Sequence, residues 1–120
     1  MARILIIDDS PTETHYVSGI LQRHGHAVLS ADSAEHGLSQ VREHMPDLVL
    51  MDIVMPGLNG FQATRQLTRD PETKDIPVVM LTTKDQETDR VWGQRQGARD
   101  YLTKPVDEKR LIDTIERILG

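Results

Sequence analysis

At 120 residues, 38% apolar and 28% charged, the chain suits one globular domain (residues 1–120) around one core, and no apolar run approaches the roughly 18 residues of a membrane helix. Its 14 Lys and Arg against 19 Asp and Glu leave a net charge of -5 with no basic block, which argues against a nucleic-acid surface and for attraction of cations. The absence of cysteine removes disulfides, thiolate metal sites and thiol nucleophiles, and "MARILII" is too short an apolar stretch to be a signal peptide, so the expectation is a cytoplasmic monomer with no membrane insertion.

The first apolar run is "ILII" (4 to 7), followed by a helix start in "SPTE". There Ser10 serves as N-cap, Pro11 as first helical residue and Glu13 as the return half of a capping box, with Val17, Ile20 and Leu21 on one face. "AVLSA" (27 to 31) precedes a second helix after Ser33, with Ala34, Leu38 and Val41 in register and Pro46 closing it. "LVLM" (48 to 51) precedes a third helix after Gly60 that uses Phe61, Thr64 and Leu67 and ends at "RDPET". "VVML" (78 to 81) precedes a polar helix over about 85 to 96, with Val91 and Trp92 as its packing anchors. "DYLT" (100 to 103) leads to a last helix near Asp107 carrying Leu111, Ile115 and Ile118. The five runs are too short for helices and too continuously apolar for a one-sided sheet, so they read as strands buried on both faces. Five strand–helix units predict an α/β fold: an open parallel sheet with helices on both faces.

In such a sheet the site lies beyond the carboxyl ends of the strands. Asp8 and Asp9 follow the first strand, Asp52 the third, Thr82 and Thr83 the fourth, and Lys104 with Pro105 the fifth. Three carboxylates about 5 Å apart repel by several kcal/mol per pair at an effective dielectric of about 20, so their convergence calls for a counter-ion. Mg²⁺, which prefers oxygen ligands and keeps positions open for phosphate, fits that need. Asp52 then reads as a nucleophile able to take a phosphoryl group, with Asp8 and Asp9 holding the metal, Thr82 donating to a phosphoryl oxygen and Lys104 balancing its charge. Each element alone has a plainer reading: "DDSP" as a helix cap, "TKP" as a surface turn, a lone Asp as the end of a strand. Their joint placement at successive strand ends decides for the site. His15, His24, His26, His36 and His44 fall on helices and in the turn "HGHA", away from this edge, and read as solvated.

With "DD" after the first strand, "MDIVMPGLNG" around Asp52, "LTT" at Thr82 and "YLTKP" from Tyr101, the chain resembles response-regulator receiver domains, the phospho-acceptor partners of two-component and chemotaxis systems. That resemblance implies a flavodoxin-like strand order 2-1-3-4-5 with five helices. It implies an aspartyl phosphate on Asp52 taken from a histidine kinase, and a Mg²⁺ held by Asp8, Asp9, Asp52 and the backbone carbonyl of Val54, Asp8 acting partly through water. It further implies a cis bond before Pro105, and a switch in which Thr82 moves toward the phosphate and Tyr101 swings inward. The change would be read by a downstream protein target on the surface of helix 4, strand 5 and helix 5, where Gln86, Asp89 and Arg90 are candidate contacts. More narrowly, the stretches from Met55 and from Thr82 resemble regulators of type IV pilus twitching motility. Thr83 is bulkier than the Ala or Gly common at that place, and Val54 is apolar where relatives can carry a water-orienting residue, so both bear on phosphate access.

Other classes fit less well. Haloacid-dehalogenase-like phosphatases place a second aspartate two residues after the nucleophile as general acid and base, and here that residue is Val54. A flavodoxin-like nucleotide binder would need a glycine-rich loop where "DDSP" stands. The expectation is a phosphorylated switch, not an enzyme acting on an outside substrate, with no output domain of its own; a phosphate sink is the nearest alternative.

Overall fold

The computed structural model describes residues 1–120, and the ten expected elements are present in chain order. They are β1 (Arg3–Ile7), α1 (Pro11–Arg23), β2 (Ala27–Ala31), α2 (Ala34–His44), β3 (Leu48–Met51), α3 (Gly60–Arg69), β4 (Val78–Thr82), α4 (Glu87–Arg95), β5 (Asp100–Thr103) and α5 (Glu108–Leu119). The strands form one parallel sheet in the order β2-β1-β3-β4-β5. This flavodoxin-like order matches the one the family resemblance implies.

Alternation along each strand divides the core in two. Ile4, Ile6, Leu48, Leu50, Val79, Leu81 and Leu102 point to one face, where α1 (Val17, Ile20, Leu21) and α5 (Leu111, Ile112, Ile115) cover them. Leu5, Ile7, Val49, Met51, Val78, Met80 and Tyr101 point to the other, under α2 (Ala34, Leu38, Val41) and α3 (Ala63, Leu67). Because helices cover both faces, β1, β3 and β4 lack the polar alternation of a one-sided sheet. β2 departs from the expectation of full burial: it is an edge strand, and only Ala31 is buried.

Two local expectations are corrected. Ser10 does accept from the Glu13 N–H (3.3 Å), yet Glu13 makes no return bond. The donor it was to satisfy, the Ser10 N–H, already goes to Asp8 Oδ1 (2.9 Å). The reciprocal box forms instead at α3, where Asn59 accepts from the Gln62 N–H (2.9 Å) and Gln62 Oε1 from the Asn59 N–H (3.0 Å). In α4 the expected anchors face solvent, Val91 being 44% and Trp92 47% exposed. The buried residue of that helix is Gly93. A Cβ there would meet the Tyr101 ring at 3.3 Å and Met80 at 3.4 Å, so the helix backbone itself rests on the sheet and its large neighbours turn outward.

Candidate functional site

Parallel register assembles the site. Ile7 pairs with Met51, so Asp8 and Asp52 leave the sheet side by side; Thr82 pairs with Thr103, which puts Lys104 next to them. Each is still held by a ladder bond: Asp8 N–H to Ala31 O (3.0 Å), Asp52 N–H to Ile7 O (2.9 Å) and Lys104 N–H to Thr82 O (2.8 Å). The side chains therefore start from fixed backbone at the carboxyl edge. The Lys104–Pro105 bond is cis.

Lys104 Nζ lies 2.5 Å from Asp8 Oδ2 and 3.5 Å from Asp52 Oδ2, with the lysine side chain 6% exposed. Asp52 Oδ1 accepts from the Ile53 N–H (2.8 Å). Asp9 is exposed, and one ligand oxygen from each of Asp8, Asp9 and Asp52 lies within 4.8 Å of the others. Gly60 closes the floor, since a Cβ on it would stand 2.0 Å from the Asp52 carbonyl oxygen.

Burial raises the Asp52 carboxyl above its ordinary range; the Asp8 charge adds to this, while Lys104, the Thr82 hydroxyl and the Ile53 N–H oppose it. For Lys104, burial alone pulls downward, but the Asp8 hydrogen bond and the charges of Asp52, Asp8 and Glu13 overcome it and leave the ammonium firmly protonated. One ammonium thus faces Asp8, Asp52 and Glu13, and Asp9 adds a further negative charge to the cluster. The residues fit a hard divalent cation: an all-oxygen set, two buried members and one free exposed carboxylate, with negative charge in excess.

Around this centre the remaining predicted residues take distinct places. Thr82 is buried at the end of β4, its Oγ1 accepting from the Lys84 N–H (3.4 Å), and Thr83 is exposed on the rim. Val54 is 56% exposed beside Asp52. Tyr101 is already buried, its hydroxyl donating to Lys84 O (2.7 Å), so the inward swing expected on phosphorylation is the arrangement this structure holds. The Arg90 guanidinium sits 5.0 Å from that ring's centroid and donates to Tyr101 O (3.2 Å). Arg90 is therefore half-buried packing rather than a free surface contact. Burial first, then the Asp89 charge, pushes the Tyr101 hydroxyl up to about 12.

Sequence reasoning missed three features. Glu13, released from its capping role, has a buried Oε2 with no partner and acts on Lys104 through its charge. His15 and His36 are not remote: with Asp8, Asp9, Thr14 and Asp32 they line a groove of about 570 Å³ opening from the acid pair. His26 is half-buried rather than solvated, its Nδ1 accepting from the Ala2 N–H (3.1 Å) and its pKa lowered mainly by burial. The polar and apolar pattern of each helix carries no information on any of these, because each depends on which element lies opposite.

The family model described as response regulator receiver domain matches residues 4–116. Protein PilH of Pseudomonas aeruginosa is 66% identical over 120 residues, spanning 100% of this chain and 99% of that one. The phosphate regulon transcriptional regulatory protein PhoB of Escherichia coli is 38% identical over 117 residues, and the match covers 98% of this chain but 51% of PhoB. Among solved structures, the chemotaxis protein CheY4 of Vibrio cholerae superposes with a TM-score of 0.92 at 30% identity, covering 99% of both chains. The CheY-like receiver domain protein of Methanospirillum hungatei gives 0.91 at 27% identity, over 99% of this chain and 94% of its own. Fold, strand-end acids and full-length sequence match agree, and the chain belongs to the response regulator receiver domain family.

Proposed function

We propose that the chain is a phospho-acceptor switch in which Asp52 takes a phosphoryl group from a histidine kinase. The observation that carries this reading is the Asp52 carboxylate, held on backbone bonded to β1, with the Lys104 ammonium 3.5 Å away and bonded to Asp8, and with Asp8 and Asp9 completing an acid cluster around it. An Asp52 oxygen attacks the phosphorus of the donor phosphohistidine; the P–N bond breaks, its electron pair stays with the imidazole, and an aspartyl phosphate forms. Lys104 and the Thr82 hydroxyl would balance charge on the transferred oxygens. Asp8, Asp9, Asp52 and the Val54 carbonyl would hold Mg²⁺, which supplies charge neutralisation when bound. Thr83 and Val54 form the rim that governs access. Residues 1–120 act as one monomeric receiver unit whose downstream protein target reads helix α4, β5 and α5. The 66% identity to PilH supports a role in type IV pilus control.

Incubation with acetyl phosphate and Mg²⁺, followed by mass spectrometry, is expected to place one phosphoryl group on Asp52 and none on Asp52→Asn, because the amide is a poor nucleophile. Stoichiometric labelling of the variant on a histidine or serine would overturn the assignment.

A further inference from the structure

The segment between β3 and α3 leaves the sheet at Asp52 and returns at Gly60. Both ends are fixed. Asp52 N–H is bonded to Ile7 O and Ile53 N–H to the Asp52 carboxylate; Gly60 N–H bonds back to Ile53 O (3.0 Å) and Asn59 caps α3. Between them the chain is tied from outside at one point. Glu35 Oε2, from the first turn of α2, accepts from the Leu58 N–H at 3.2 Å, and no other hydrogen bond reaches residues 54 to 58. The same oxygen meets the neighbouring backbone: Gly57 has φ +78, and a Cβ on it would stand 2.9 Å from Glu35 Oε2. A side chain there would be strained by the positive φ and would displace the carboxylate as well. Met55 is buried and Leu58 packs on the α2–α3 core, whereas the exposed Val54 side chain gives its own backbone no anchor.

Glu35 is itself exposed, and exposed polar pairs contribute little to global stability. What this one does is local: it links α2 to the segment that carries the Val54 carbonyl, two residues after Asp52. We infer that Glu35 is a positioning residue, which by holding Leu58 and fitting against Gly57 keeps the Val54 carbonyl aimed at a divalent cation bound by Asp8, Asp9 and Asp52. This rests on the reading of Val54 as a metal ligand given above. Partners that orient metal ligands typically change affinity by about 10 to 100-fold when removed, and a tie acting through a short loop belongs at the lower end.

The test uses the full chain, its Glu35→Ala and Glu35→Gln variants, and two measurements. One is hydrogen exchange of the Leu58 amide without metal. The other is Mg²⁺ titration followed by the amide NMR shifts of Ile53 and Val54. Glu35→Ala is expected to speed Leu58 exchange and to weaken Mg²⁺ binding by about tenfold. Glu35→Gln, which loses the charge but keeps an accepting oxygen, is expected to stay near the parent in both. That contrast separates the hydrogen bond from the effect of a negative charge near a helix N-terminus. Parent-like Mg²⁺ affinity in Glu35→Ala would overturn the inference alone, as would equal losses in the two variants. A parent protein that shows no Mg²⁺-dependent shift at Val54 would overturn the metal reading and this inference with it.

Discussion

Burial lifts the Asp52 carboxyl above its ordinary value of 3.8, so the folded protein keeps this proton to a higher pH than the unfolded chain does. Between the two values the native state binds more protons, and stability contributed by the group falls as pH rises through that window. Without metal, Asp52→Asn should therefore be more stable than the parent at neutral pH. The gain should be on the order of 1 kcal/mol, because relief of the buried charge, and secondarily of repulsion from Asp8, is partly offset by losing the attraction of Lys104. It should vanish below the window. Urea denaturation in chelator at pH 7 and at a pH under 3.8 checks this; a variant less stable than the parent at both would mean that Asp52 is held by its partners rather than strained by them. At the rim, Thr83→Ala should speed labelling by small phosphodonors if the bulk of this exposed side chain limits entry. Unchanged rates would remove steric control at that position. Asp8, Asp52 and Lys104 were legible in the sequence because each ends an apolar run, and runs of this kind align when strands are parallel. Glu13 was not legible: its local signal is that of a helix cap, and its different fate is set by an N–H that Asp8 had already taken.

Helix α4 shows how one close approach reorganises an element. Resting on Gly93, it offers the sheet backbone rather than side chains, and little apolar burial opposes its displacement. Its orientation relative to β5 is set by Arg90 over the Tyr101 ring and by Lys84, which joins the site to that ring: its N–H meets Thr82 Oγ1 and its carbonyl accepts from the Tyr101 hydroxyl. A phosphoryl group that draws the Thr82 hydroxyl would act on Lys84 first and on Tyr101 through it. Since Tyr101 already lies inward, phosphorylation would stabilise an existing arrangement rather than create one. Tyr101→Phe keeps the ring but removes the tie, and should cost about 0.5 to 1.5 kcal/mol of stability. It should also blunt the NMR shifts that beryllofluoride, a phosphoryl mimic, induces in α4. Undiminished shifts would place transmission elsewhere, and shifts confined to the acid cluster in the parent would favour a phosphate sink. The existence of α4 could be read from its sequence, but its anchors could not: two large apolar residues in a polar helix look like core until a glycine beside them is seen to take the contact.

For the whole molecule, excess negative charge at the carboxyl edge would link folding to any cation bound there. Mg²⁺ at 100 times its Kd should raise unfolding stability by about 2.7 kcal/mol. The increment should disappear in Asp9→Ala, whose exposed carboxylate has no protein partner to lose. Thermal melts with and without Mg²⁺ measure it, and an increment unchanged in Asp9→Ala would put the cation elsewhere. Strand positions and the α/β class were legible from run length alone. The order 2-1-3-4-5 was not: short apolar runs fix what pairs in a sheet but not which neighbour each strand takes, and it was motif resemblance that supplied the order. The half-exposed β2 follows from that order, since the second strand lies at an edge.

The two halves of the core share the backbone of the sheet but no side chains. Substitutions on opposite faces should consequently behave as if made in separate proteins. Ile20→Val in α1 and Val41→Ala in α2 should each destabilise, and the double variant should equal their sum to within about 0.5 kcal/mol. A larger coupling would show that the sheet transmits packing strain across its thickness. With additivity, one face is free to drift over generations while the other stays constant: the packing around Tyr101 and Gly93 can be remade, and the packing beneath α1 and α5 need not follow.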